Sequence, residues 1–123
     1  MPRSVTVNNL SRPNLSPARV TYCSSFACRL RGLMFRSSLG ADEGLLLVEG
    51  RDSRIDSSIH MFFVPFDVAV FWIDASLRVV DKIIARSWKP AYLSKQPARY
   101  ILEVRPERLG EYEIGDTVEF KNA

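Results

Sequence analysis

The segment Ile59–Asp74, IHMFFVPFDVAVFWID, constrains this chain more than any other. It is dense in aromatic and β-branched side chains, which suit a pleated, half-buried surface. Proline cannot donate to a sheet ladder, so Pro65 marks a corner between two strand-like halves, Ile59–Val64 and Asp67–Asp74. In the second half both alternating faces are apolar, with Ala69, Phe71 and Ile73 on one and Val68, Val70 and Trp72 on the other. A strand of this kind has to be covered on both sides, here by a helix and by an opposing sheet wall.

The remaining segments read as continuation and cover of that sheet. Ser4–Asn8 is predicted as a short edge strand, followed by a Pro-containing loop to Pro17. Ala18–Cys23 alternates as a second strand. Ser24 or Ser25 then supplies a helix N-cap, and Phe26, Ala27, Leu30, Leu33 and Met34 fall on one helical face. The main helix is therefore expected over about residues 25–36, weakened by Gly32 and ended by Gly40. Gly44–Glu49 is an apolar run suited to a strand buried on both faces, and Gly50–Ser57 an exposed loop. Leu77–Ala85 should return antiparallel to the central strand through a turn at Asp74-Ala75-Ser76. Arg86–Pro97 has no clear period and reads as a long loop. Arg99–Arg105 and Thr117–Lys121 are the last strands, separated by a short helical turn near 106–110. The expected class is α+β, with a mostly antiparallel sheet curled toward a barrel and one main helix.

Composition narrows the function classes. A chain of 123 residues with 46% hydrophobic and 25% charged residues has the balance of one globular domain, residues 1–123, able to fold without a metal or disulfide framework. No apolar run approaches the ~20 residues needed to span a bilayer, and residues 1–16 lack the apolar core of a secretory signal. The expectation is a cytoplasmic, soluble protein without a membrane span. Cys23 and Cys28, spaced CSSFAC, match no usual zinc pattern and are expected as reduced thiols, with a local disulfide or redox pair as the alternative.

No acidic residue precedes Asp42, whereas Arg3, Arg12, Arg19, Arg29, Arg31 and Arg36 all do. A second acid-free stretch between Asp81 and Glu103 holds Lys82, Arg86, Lys89, Lys95 and Arg99. If the two met, they would form a basic face able to attract nucleic acid. The chain has no Lys/Arg run and no nucleic-acid motif, so solvated arginines are the favoured reading and nucleic acid is not the expected partner.

Several of these segments resemble one family. Arg29, Gly32-Leu33-Met34-Phe35-Arg36 and Leu39 are similar to its R-x-x-G-L-M-x-R-x-x-L signature. Gly44–Val48 resembles its following apolar strand, His60–Asp74 its aromatic, proline and aspartate segment, and Tyr100–Val104 with Ile114-Gly115-Asp116 its closing strand and turn. The family is the bacterial domain of unknown function number 192, matched here over a core of about 18–121 behind an N-terminal strand and loop (1–17). The resemblance implies a compact β-rich domain with a short helix and no assigned activity. The chain departs from the pattern where Ala75-Ser76 replace a turn glycine and where Arg105-Pro106-Glu107 stand in the closing strand.

Candidate chemistry is sparse. His60 is the only histidine, which excludes sites built on His pairs, and no ligand pattern implies a metal or a cofactor. His60 and Asp67 are the candidate base and orienter of a small hydrolase or lyase. Arg29 on the helix is expected to reach a sheet carboxylate, Asp67 or Glu103, either to fix the helix or to hold an anionic ligand. Trp88, Lys89 and Tyr92 form a candidate binding loop. The leading reading is a small non-enzymatic binding or accessory domain for a small molecule or protein partner. Its site is expected at one end of the sheet, between the Arg51–Ser57 loop, the Val64–Asp67 corner and the Trp88–Tyr92 loop.

Overall fold

A computed structural model of the chain describes residues 3–122. The ends of the expected 1–123 domain range, residues 1, 2 and 123, lie outside the described residues. The strands are β1 (Ser4–Asn9), β2 (Ala18–Cys23), β3 (Glu43–Ser53), β4 (Val68–Ile73), β5 (Val79–Ala85), β6 (Ala98–Val104) and β7 (Val118–Asn122). The helices are α1 (Phe26–Arg31) and a 3-10 helix at Pro106–Glu111. One seven-stranded sheet runs in the order β5-β4-β6-β3-β2-β1-β7.

The sheet is mixed. β2 and β3 pair in parallel, while the other neighbouring pairs are antiparallel. A parallel neighbour demands a crossover, and α1 supplies it between β2 and β3. β1 is not an edge strand as expected, because it pairs with β2 on one side and β7 on the other. The expected barrel-like closure is also corrected: the sheet is open. Its two edges touch only where Arg78 bridges Thr117, through bonds confined to Leu77–Val79 and Gly115–Val118. The rest of β5 runs on without a partner on β7.

Each face of the sheet carries its own core. Val68, Val70 and Trp72 of β4 join Leu45, Leu47, Ile101, Met61 and Tyr92 on the face below α1. Ala69, Phe71 and Ile73 join Leu46, Leu102, Val7, Val20 and Tyr112 on the other. All six residues of β4 are buried, which is the result the two apolar faces predict.

α1 is half the expected length. Ser25 caps it by accepting a hydrogen bond from the Cys28 amide at 3.1 Å, and it stops at Gly32, whose φ of 50° lies outside the helical region. Gly32–Phe35 continue as turns. β3 is longer than expected, running through Gly50–Ser53 into the segment predicted as loop. Ile59–Val64 is not a strand. It makes a single bridge, Ile59 to Tyr92, and Phe63 takes a φ of 60° that breaks any ladder. The turn after β4 works without its glycine because Leu77 adopts φ 67° and the Asp74 carboxylate accepts from the Ser76 and Arg78 amides. Cys23 and Cys28 form a disulfide where reduced thiols were expected, linking the end of β2 to α1. Among the described residues no helix is long and apolar enough to cross a membrane.

Candidate functional site

Glu103 stands in the middle of the sheet. Across the ladders it is level with Leu45 of β3 and Val70 of β4, and it shares its face with Ile101 beneath α1. The side chain is 5% exposed, and no described residue donates a hydrogen bond or an ion pair to its carboxyl group. Burial in apolar surroundings pushes its pKa from 4.5 up to about 7.

The carboxyl lines a cavity of about 50 Å³ between α1 and the Ser58–Val64 segment. Leu30, Gly32, Leu33 and Met34 form its roof, and Leu47, Met61 and Val64 its apolar walls. An outer cleft of about 640 Å³ adjoins it, lined by Phe26, Glu49, Gly50, Arg51 and Asp56. Arg29, Leu30, Leu47, Ser58 and His60 belong to the lining of both, so the two spaces lie side by side, the wide outer cleft against the narrow inner cavity.

Arg29 holds the wall between helix and sheet. Its Nε lies 3.2 Å from Glu49 Oε2, and its Nη1 donates to the Val48 carbonyl at 3.4 Å and to the Ser24 carbonyl. Its carboxylate partner is thus Glu49 of β3, and neither Asp67 nor Glu103. The reason is reach: α1 ends five residues early and keeps Arg29 over the β3 side of the sheet. Glu49 has its pKa raised, chiefly by desolvation, with Arg29 opposing that rise.

His60 and Asp67 have separate partners. His60 Nε2 donates to the Leu30 carbonyl at 3.3 Å, and Nδ1 accepts from the Phe62 amide at 3.2 Å, so both ring nitrogens bond to backbone. Asp67 accepts from the Ser87 amide at 2.8 Å and from Arg86 Nη1 at 2.9 Å. Those bonds, the Ser87 amide first, hold its pKa below the usual value. His60 lines the cavity; Asp67 does not. The base–orienter dyad expected from sequence is absent because each member is already satisfied by its own neighbourhood.

The Trp88–Tyr92 loop divides its side chains. Tyr92 is buried in the core below α1 and accepts the Arg86 amide on its hydroxyl at 2.7 Å, with Lys89 Nζ 5.1 Å from its ring centroid. Trp88 faces outward and meets Phe63 edge to face at 5.1 Å, and Phe63 packs in a tilted pair with Phe35 at 5.0 Å. All three aromatics have left-handed backbones. The loop contributes nothing to the cleft lining, whereas Arg51 and Asp56 line the mouth and Val64 the inner end.

Sequence reasoning named Glu103 only as a partner for Arg29 and did not single out Glu49. The available signal for Glu103 was its place between Leu102 and Val104, in register with Ile101 on a buried face. Glu49 closes an apolar run and carried no such mark.

An open, mixed α+β sheet with a crossover helix roofing a carboxyl-floored cavity defines the class of domain. The chain belongs to the family DUF192, described as "Uncharacterized ACR", which matches residues 7–120. It is 40% identical over 84 residues to a UPF0127 protein of Thermococcus gammatolerans, covering 68% of this chain and 53% of that one. It is 36% identical over 111 residues to the Pyrococcus horikoshii UPF0127 protein PH1112, covering 87% and 92%. The chain spans 53% and 63% of two Thermococcus relatives it matches, those of T. gammatolerans and T. kodakarensis. These relatives are archaeal, which corrects the expectation of a bacterial family. The fold is shared with a Sinorhizobium meliloti protein titled a putative transcription regulator (TM-score 0.82, 21% identity, 98% of this chain and 94% of that one). It is shared also with a Novosphingobium aromaticivorans protein of unknown function (TM-score 0.77, 23% identity, 94% and 83%). The family match runs across the domain as a whole and assigns no role to the Arg29–Met34 segment.

Proposed function

We propose that this domain is a small-molecule-binding module whose ligand enters the cleft between α1 and the Gly50–His60 segment and ends against Glu103. One observation carries the reading. Glu103 is a buried carboxyl that lines a cavity and has no hydrogen-bond partner among the described residues. No fully enclosed side-chain oxygen or nitrogen among the described residues lacks a partner, so the Glu103 oxygens, which have no protein donor, open onto the cavity and are free to receive a ligand. The outer cleft, at about 640 Å³, is within the range of small-molecule sites, and its walls mix apolar Phe26 and Leu30 with polar Ser58 and His60. The engagement of both His60 nitrogens by backbone weighs against the hydrolase or lyase reading.

The test is a thermal-shift screen of metabolite-sized compounds followed by amide mapping of each hit by NMR. A ligand at about 100-fold its dissociation constant stabilises by ~2.7 kcal/mol, a readily measured shift. The expected result is that hits perturb Arg29–Met34 and Gly50–His60. Hits that perturb only the region around Arg19, Asp42 and Glu43, or a screen without hits, would overturn the reading.

A further inference from the structure

We infer that the inner end of this cleft takes the protonated amine of a primary-amine ligand, with Glu103 as the carboxylate that receives it. This rests on the reading of the cleft as a ligand site and names the chemistry of its deep end.

The argument begins with charge. A carboxylate surrounded by Leu45, Leu47, Val70 and Ile101 is stable in its ionised form only beside a cation that also donates hydrogen bonds. The described residues supply none. Arg29 is committed to Glu49 and to the Ser24 and Val48 carbonyls. Arg31, which also lines the cavity, is exposed and forms no ion pair with Glu103 among the described residues. His60 donates to Leu30. No other titratable side chain lines the cavity, since β3 and the Ile59–Val64 segment contribute only apolar ones there apart from His60.

Size and polarity then select the donor. A cavity of about 50 Å³ has room for a few water-sized groups, enough for an ammonium and its attached carbon but not for a ring. Its roof is the C-terminal end of α1, Leu30 to Met34, where carbonyl groups and the negative end of the helix dipole favour a cation. No group of three or more His, Cys, Asp or Glu among the described residues is arranged to hold a metal ion. An ammonium offers three N–H donors and a full charge in that volume, whereas a neutral hydroxyl leaves the carboxylate uncompensated. The rest of the ligand would lie in the outer cleft against Phe26 and Leu30.

The raised proton affinity of Glu103 agrees with this, because the carboxyl holds a proton until a better cation arrives. An amine that binds the ionised form should therefore bind more weakly at pH 6 than at pH 8, by about tenfold for a group titrating near 7.

The experiment is an amide-resolved NMR titration of the whole chain with methylammonium, ethanolamine, ethylene glycol, acetate and tetramethylammonium, at pH 6 and pH 8 and constant ionic strength. The expected result is saturable shifts at Gly32–Met34, Leu47 and Leu102–Val104 with methylammonium and ethanolamine only, weaker at pH 6. Tetramethylammonium, a cation without N–H, should leave them unmoved. Glu103→Gln should keep its fold, judged by its spectrum, and lose the response. If that variant does not fold, the wild-type Glu103 carboxyl carbon decides: its midpoint should fall in saturating methylammonium, and an unmoved midpoint overturns the inference. Saturation by ethylene glycol or acetate but not by the amines would overturn the amine and leave the cleft reading standing. A cleft silent both to these probes and to every compound of the thermal-shift screen would overturn both.

Discussion

Arg29 Nε and Glu49 Oε2 lie 3.2 Å apart and tie α1 to the far half of β3, across the mouth of the cleft. The pair is partly buried, with side-chain exposures of 27% and 12%, so solvent screens it less than a surface ion pair. Arg29→Met keeps the aliphatic stem but strands Glu49. Chemical denaturation should show a loss of about 1–3 kcal/mol, reduced by whatever water reaches the pair. The Glu49 midpoint, followed by carboxyl NMR, should move further up, because desolvation would act without Arg29 opposing it. An unchanged midpoint would dissolve the pair as an energetic unit.

Glu103 makes stability depend on pH in the unusual direction for an acid. Its carboxyl titrates near 4.5 in the unfolded chain and at about 7 in the folded one. Between those values the folded chain keeps a proton that the unfolded chain has released, so stability falls as pH rises toward 7 and levels off above it. The full effect is roughly 3 kcal/mol. Asp67 and Asp116 work oppositely, since both have lowered folded values: their contribution is present above the unfolded value and is lost as pH falls through the folded one. Denaturant unfolding from pH 5 to pH 8 should therefore show wild type losing stability relative to Glu103→Gln, and parallel profiles would refute the assignment.

Gly44 fills a position no side chain can share. A Cβ there would lie 2.7 Å from the Glu103 carbonyl oxygen, 2.8 Å from Val104 Cγ1 and 2.9 Å from Val20 Cγ1, all inside the sheet. Gly44→Ala should destabilise by about 1–3 kcal/mol, measured as a drop in denaturation midpoint. Gly50→Ala is the control, since a Cβ there meets nothing within 4 Å.

Phe63 is held at φ 60° by its neighbours, packed between Phe35 and Trp88 while 45% exposed. Phe63→Ala and Phe63→Gly both lose this packing, but only glycine adopts that backbone without a Cβ penalty. The glycine variant should be the more stable of the two by about 1 kcal/mol, an inversion of the usual Gly–Ala order. The usual order would mean that the segment relaxes in solution.

The Cys23–Cys28 bond closes a short loop between β2 and α1. In the chain-entropy description such a loop contributes about 2 kcal/mol. Reduction, or Cys28→Ser, should lower the melting temperature and loosen the cleft roof first, seen as faster amide exchange at Arg29–Gly32 than in β4.

Much of the fold was legible in local pattern. The alternation in β4 announced a strand buried on both faces, because period-two apolarity is written in adjacent residues and needs no distant information. Ser25 as a cap, Pro106 as a helix start and the strand limits near β2, β6 and β7 came from the same kind of signal. So did the chemical inventory: one histidine, two cysteines and arginines crowded ahead of Asp42. What the sequence could not decide was pairing. The parallel β2–β3 neighbours, the interior place of β1 and the open edge between β5 and β7 depend on contacts between residues far apart in the chain. Ile59–Val64 reads as strand by composition, yet its bonds to Lys89 and Tyr92 and the left-handed turn at Phe63 override that preference. The site follows the same division. Sequence placed Arg29, His60, Asp67 and Glu103 in apolar surroundings, where each needs a partner. Tertiary structure alone assigned Glu49 to Arg29 and Arg86 to Asp67, and left Glu103 facing a cavity, because the supply of partners is set by which strands and loops the fold brings alongside.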